Sequence, residues 1–257
     1  MACSSASIEI TLWRPTLMNL KPVAFAGGLL MASIGAHAQA SGSNVVEIGW
    51  FHIAPQDSSD PLTVAGNVVP NTGSRVDNVD TAGLTVTHFF TDNIAAETIA
   101  GIPPKFQLSG TGVLASPSIN PLGDVRQWSP AVLLKYYFGT AESKLRPSLG
   151  LGVSYIWFTS AHVNPAFQQL LSAQLSRGLT TGLPTKAHVD SAWSPVFNAG
   201  VTYNIDRHWS AGVSVSYLPF GTKANLTTTL PNGAQVHSQA KITLNPIVAF
   251  LSVGYRF

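Results

Sequence analysis

Ser148-Leu149-Gly150-Leu151-Gly152-Val153-Ser154-Tyr155-Ile156-Trp157 carries the pattern that decides the fold. Large apolar or aromatic side chains fall at Leu149, Leu151, Val153, Tyr155 and Trp157, and Ser or Gly fills the places between them as far as Ser154. A period of two marks an extended strand whose two faces differ. In a soluble sandwich the large residues would be hidden and the other face would carry charge. The second face is small and uncharged instead. A narrow membrane barrel needs this arrangement, with large groups toward lipid and small ones where side chains crowd the lumen.

The alternation recurs through Trp209, Ala211, Val213, Val215 and Tyr217, and again through Ile247, Ala249, Leu251, Val253, Tyr255 and Phe257. Eight segments read as strands, at 44–54, 81–91, 93–106, 126–138, 145–158, 190–204, 208–221 and 236–257. The connections after the second, fourth and sixth are short. Those after the first, third, fifth and seventh run to roughly 15–30 residues, beyond the usual length of a connection in a compact domain. The expected fold is therefore all-β, an eight-stranded antiparallel transmembrane β-barrel with short periplasmic turns and long extracellular loops. An even strand number puts both termini in the periplasm. Phe167, Leu170, Leu171 and Leu175 fall at helical spacing, which predicts a short amphipathic helix within 165–178.

Composition agrees. Charged residues make up 10% of the 257 and hydrophobic ones 45%, yet no apolar run beyond the N-terminus approaches the ~20 residues of a spanning helix. A net charge of +2 without a basic cluster gives nucleic acid nothing to bind. Near the start, Lys21 precedes an apolar stretch from Pro22 to Ala36, and Ala36-His37-Ala38 fits a signal-peptidase site. Residues 1–38 read as an N-terminal extension and signal peptide, with Met18 the more conventional start, and 39–257 as one barrel domain. Cys3 lies in the removed part, so the mature chain has no disulfide and must take its stability from elsewhere, such as a closed sheet in lipid.

Several segments resemble the OmpW family of outer-membrane proteins: Thr91-Asp92-Asn93-Ile94-Ala95, Tyr136-Tyr137-Phe138-Gly139, Lys144-Leu145-Arg146-Pro147, Asp190-Ser191-Ala192-Trp193 and the closing Gly254-Tyr255-Arg256-Phe257. They occur in the family's order across nearly the whole mature chain. Tyr255 and Phe257 form the terminal aromatic insertion signal that most such barrels carry, read by the outer-membrane assembly machinery. The resemblance implies an eight-stranded barrel of the bacterial outer membrane, surrounded by lipid bilayer and lipopolysaccharide. It also implies passage of small hydrophobic molecules, as in the related AlkL-type importers. The long loops match the family least.

Alternation assigns the lumen. Near the short-turn end Glu47, Glu97, Lys135 and Arg256 point inward, and strand neighbours suggest the pairs Glu97–Lys135 and Arg256–Glu47, since buried charge must be paired. Such pairs would form a polar plug. It serves equally as a stabiliser without transport role or as a gate. Toward the loops Phe51, Ile53, Ile156, Phe158, Val196, Leu218, Val248 and Phe250 point inward, as an apolar pocket or as ordinary packing in a filled barrel. Pro103, Pro104 and Pro130 remove amide donors from adjacent strands, so a lateral gap between the third and fourth strands is one reading and a simple end of pairing is the other.

Catalytic and cofactor signatures are lacking. The six histidines after residue 38 are scattered without metal-ligand spacing, and no serine sits in a G-x-S-x-G turn. No cofactor and no enzyme activity are expected. The leading expectation is passive admission of small hydrophobic compounds. A structural or surface-interaction barrel meeting phage, host or envelope partners is the alternative, and a barrel-borne enzyme is the minor one.

Overall fold

The computed structural model describes residues 41–176, 178–180 and 182–257. The expected signal peptide and its cleavage after Ala38 lie outside the described residues. Eight long strands make the barrel: β1 (Asn44–Ala54), β2 (Val79–Phe89), β3 (Ile94–Gly101), β4 (Ala131–Tyr137), β5 (Leu145–Val163), β6 (Ala192–Asn204), β7 (Trp209–Tyr217) and β8 (Ile247–Arg256). Each pairs antiparallel with its neighbours in the chain, and β1 pairs with β8 from Val45↔Arg256 to Ala54↔Ile247, which closes the sheet. Closure leaves the eight-stranded cylinder without a free edge strand, as a strand structure in lipid must.

The alternating faces sort as their residues demand. Leu149, Leu151, Val153, Val213, Leu251 and Val253 are exposed on the outer wall, whereas Ser148, Ser154, Ser210, Ser216 and Ser252 are buried inside. The small inner residues make room for larger ones opposite. A Cβ at Gly150 would lie 2.9 Å from Lys135 Cγ, and one at Gly254 3.0 Å from Glu47 Cγ. At Gly83 a Cβ would collide with the Phe51 ring.

Four expected strands are shorter than their alternation suggests, because proline ends the ladder. The 93–106 segment stops pairing in the barrel at Gly101, before Pro103-Pro104, and resumes as the separate strand Lys105–Gly112. The 126–138 segment divides at Pro130 into Gly123–Trp128 and β4. Pro219 separates β7 from Phe220–Thr229, and Pro246 separates Gln235–Leu244 from β8. Proline has no N–H for the ladder, so each break lets the chain take new neighbours.

Those neighbours build two sheets beyond the barrel, mostly in regions expected to be loops, although 236–244 and 126–128 were expected as parts of barrel strands. β5 continues to Val163 and carries Gly123–Trp128, then Lys105–Gly112, then Thr72–Val76. Opposite, Thr185–Val189, Phe220–Thr229 and Gln235–Leu244 pair in turn, with short strands Ser58–Ser59 and Thr63–Val64 on the last. The expected helix is α1 (Pro165–Leu175), started by the Asn164 side chain accepting from Ala166 N–H at 2.8 Å and by Pro165 at its head. Its Phe167 and Leu171 pack on Leu114, Ile119 and Leu122.

At the short-turn end, Asp206 accepts from the Trp209 and His208 amides, which hold its carboxyl below the usual carboxylate range. Tyr255 packs edge-on against Trp209 and Phe257, with centroids 5.1 and 5.0 Å apart, and Phe257 projects outward at the chain end.

Candidate functional site

The lumen is closed at the short-turn end by aromatic packing and one arginine. Val45, Phe89, Ala95 and Tyr137 form a buried cluster, with the Phe89 and Tyr137 rings 4.9 Å apart. Arg146, wholly buried, lies over both rings at 5.9 and 5.4 Å and donates to the backbone carbonyl of Asp92. Its guanidinium thereby meets two π faces and the backbone carbonyls of Asp92 and Phe138.

Ionic side chains sit above this floor. Lys135 Nζ donates to Glu97 Oε2 at 2.9 Å, both side chains being almost fully buried, and Thr87 donates to the same oxygen at 3.1 Å. Glu47 is held differently. Thr85 donates to one of its oxygens at 2.9 Å and Ser252 to the other at 3.2 Å. The expected Arg256–Glu47 pair is not made. The β1–β8 register sets Arg256 opposite Val45 and Glu47 opposite Gly254, so the arginine lies at the rim while the carboxylate reaches two serine and threonine hydroxyls inside.

The eight apolar lumen candidates separate into three places. Phe51, Ile53, Val196, Leu218 and Val248 line one cavity of about 310 Å³. Phe250 does not line that cavity and instead stacks on Phe51 with centroids 4.0 Å apart. Phe158 instead faces a second, outer cavity of about 140 Å³ enclosed by the two upper sheets. Ile156 lines neither, being fully buried against Phe220, Ile242 and Leu244. The inner space is a side chamber and the outer one a vestibule.

Pro103, Pro104 and Pro130 all line the side chamber. Ladder pairing between β3 and β4 ends at Ile99↔Ala131 and resumes above as Lys105↔Arg126. Five residues (100–104) face four (127–130) across the interval, so the register slips by one. A bond from Gln127 N–H to Pro104 carbonyl at 3.1 Å caps it. Ile102 and Trp128, exposed on the outer wall at 63% and 39%, line the same cavity as inward-facing Phe51 and Val248. One cavity thus draws lining residues from both faces of the sheet.

Among the described residues no group of three or more acidic, histidine or cysteine side chains is placed to hold a metal. The model for the OmpW family matches residues 40–257. The chain belongs to the OmpW family. Outer membrane protein W of Escherichia coli is 32% identical over 234 residues, covering 89% of this chain and 99% of its own. Outer membrane protein AlkL of Ectopseudomonas oleovorans is 27% identical over 199 residues, covering 76% and 74%. Among solved structures, the crystal structure of OprG from Pseudomonas aeruginosa superposes with a TM-score of 0.73 at 26% identity, covering 86% of this chain and 98% of that one. These relatives are outer-membrane barrels, and the described strands close as theirs do.

Three contributors to this OmpW-family lumen were not singled out from sequence. Arg146 shares the inner phase of Ser148, Gly150 and Gly152, so the alternation itself marks it as inward. Tyr137 carries the same signal on β4, two residues from Lys135. Gln127 offers none, because the strand that holds it belongs to the upper ladder and not to the barrel.

Proposed function

We propose that this outer-membrane barrel passively admits small hydrophobic compounds and releases them sideways into the membrane. The long connections face outside the cell, and the short turns and both termini face the periplasm. A solute enters the vestibule, crosses into the side chamber and leaves between β3 and β4. The observation that carries this reading is the side chamber, which is bordered by inward Phe51 and Val248 and by outward Ile102 and Trp128. Its volume, about 310 Å³, is roughly twice the ~150 Å³ of an apolar cavity that holds benzene. The closed floor below supports the same exit, since a greasy solute gains nothing by crossing the Lys135–Glu97 pair. Lipopolysaccharide surrounds the outer girdle in this reading, and the assembly machinery reads Tyr255 and Phe257.

The path is tested by closing it. Gly101→Cys with Ser129→Cys, bridged by a disulfide or a short bismaleimide, ties β3 to β4 across the opening. Uptake of octane by intact cells is expected to fall to the level of cells lacking the protein, and to recover on reduction of the disulfide form. Undiminished uptake in fully cross-linked protein overturns lateral release.

A further inference from the structure

Gln127 is the only described residue that lines both the vestibule and the side chamber. It is 8% exposed, and its backbone N–H is spent on Pro104 at the top of the opening. Its side-chain amide makes no hydrogen bond to any described group, and its polar atoms are not sealed away as Asn198 Oδ1 is. The amide therefore opens onto the space between the two cavities. Buried amides are ordinarily paired, because leaving one without a partner is costly.

A second neutral polar group lies further along. Ser216 lines the side chamber, and its Oγ accepts from Asn198 Nδ2 at 2.8 Å, which leaves its own hydrogen free to donate toward a solute. The rest of the chamber wall is mainly apolar. A hydrocarbon passing Gln127 must strip the amide of water and returns nothing for it. A molecule carrying one neutral oxygen loses its own water partners, and the amide replaces them as donor or acceptor. The absence of a charge at this point matters too, since a carboxylate would find no cation to offset its desolvation.

We infer that Gln127 is a specificity-determining residue that favours apolar molecules bearing one neutral oxygen group (alcohols, phenols, ketones, esters) over the matching hydrocarbons. This rests on the proposed path through the vestibule and the side chamber.

Naphthalene and 1-naphthol are a matched pair of probes. Their uptake is measured in cells carrying the unaltered protein, Gln127→Leu or Gln127→Met, with cells lacking the protein as background. Barrel folding is checked by the heat-dependent gel shift. Met keeps the length of the side chain without the amide. In both variants the 1-naphthol to naphthalene uptake ratio is expected to drop about fivefold, the equilibrium equivalent of one neutral hydrogen bond, with naphthalene uptake unchanged or faster. An unchanged ratio overturns the inference and leaves the proposed path intact. So does an equal fall for both solutes, or a fall in the Leu variant alone, because either one marks lost packing. Failure of the unaltered protein to raise uptake of either probe overturns path and inference together.

Discussion

Lys135 is the residue on which the lower lumen depends electrostatically. It is the ammonium paired with Glu97 at 2.9 Å, in a space that also holds the Glu47 carboxylate. A buried pair is weak evidence for net stability, but removing one partner strands the other, at a cost of about 3–5 kcal/mol. Lys135→Met would leave two carboxylates supported only by Thr85, Thr87 and Ser252 hydroxyls. The temperature at which the folded band converts to the unfolded one on gels is expected to fall clearly. Combining Lys135→Met with Glu97→Gln should restore part of the loss, since the stranded charge goes with it. Equal heat resistance in Lys135→Met and the parent would mean that the pair contributes nothing. Its partners were half legible in advance. Glu97 and Lys135 share adjacent strands and one phase, which predicts their meeting. Glu47 needed the β1–β8 register, and strand alternation gives a face without giving a height along the strand.

Prolines decide where the barrel ends and the upper sheets begin. At Pro103-Pro104 and Pro130 the missing donors coincide with the one-residue slip between the lower and upper ladders. Missing hydrogen bonds and unequal segment lengths each oppose pairing there, and only the first is reversible by substitution. Replacing all three prolines with Ala should let part of the interval close, each recovered bond contributing about 1 kcal/mol. Slower hydrocarbon uptake and slower amide exchange across 100–104 are the expected outcomes. Unchanged exchange and uptake would assign the opening to the register slip alone. The eight barrel strands were readable because lipid on one side and a crowded lumen on the other force a strict period of two. The upper strands were read only where they run on from a barrel segment, as 236–244 does, because many of their buried positions are polar (Thr72, Gln127, Thr222, Thr228, Ser238) and no apolar alternation marks them. Proline marked each boundary, yet which new neighbour the chain would take depends on the path of the whole sheet.

At the scale of the whole molecule, two routes compete for a solute in the lumen: down the axis or out through the wall. On the proposed path the axis is blocked by the ionic pair and by the Phe89–Tyr137 cluster, with Arg146 below that cluster toward the short turns. The proposed way out lies where ladder pairing lapses between β3 and β4. These features are separable, since the floor and the opening share no residue. Phe89→Ala with Tyr137→Ala should thin the floor, at a cost of about 3–5 kcal/mol for each large aromatic side chain removed, so folding is checked first. In folded protein the outer membrane is expected to become leakier to a chromogenic cephalosporin hydrolysed by a periplasmic β-lactamase. Octane uptake should not change, because its path leaves the barrel above the floor. The β3–β4 cross-link should do the opposite, stopping octane without altering the cephalosporin leak. If thinning the floor speeds octane in step with the cephalosporin, hydrophobic solutes travel along the axis, and the opening in the wall serves another purpose.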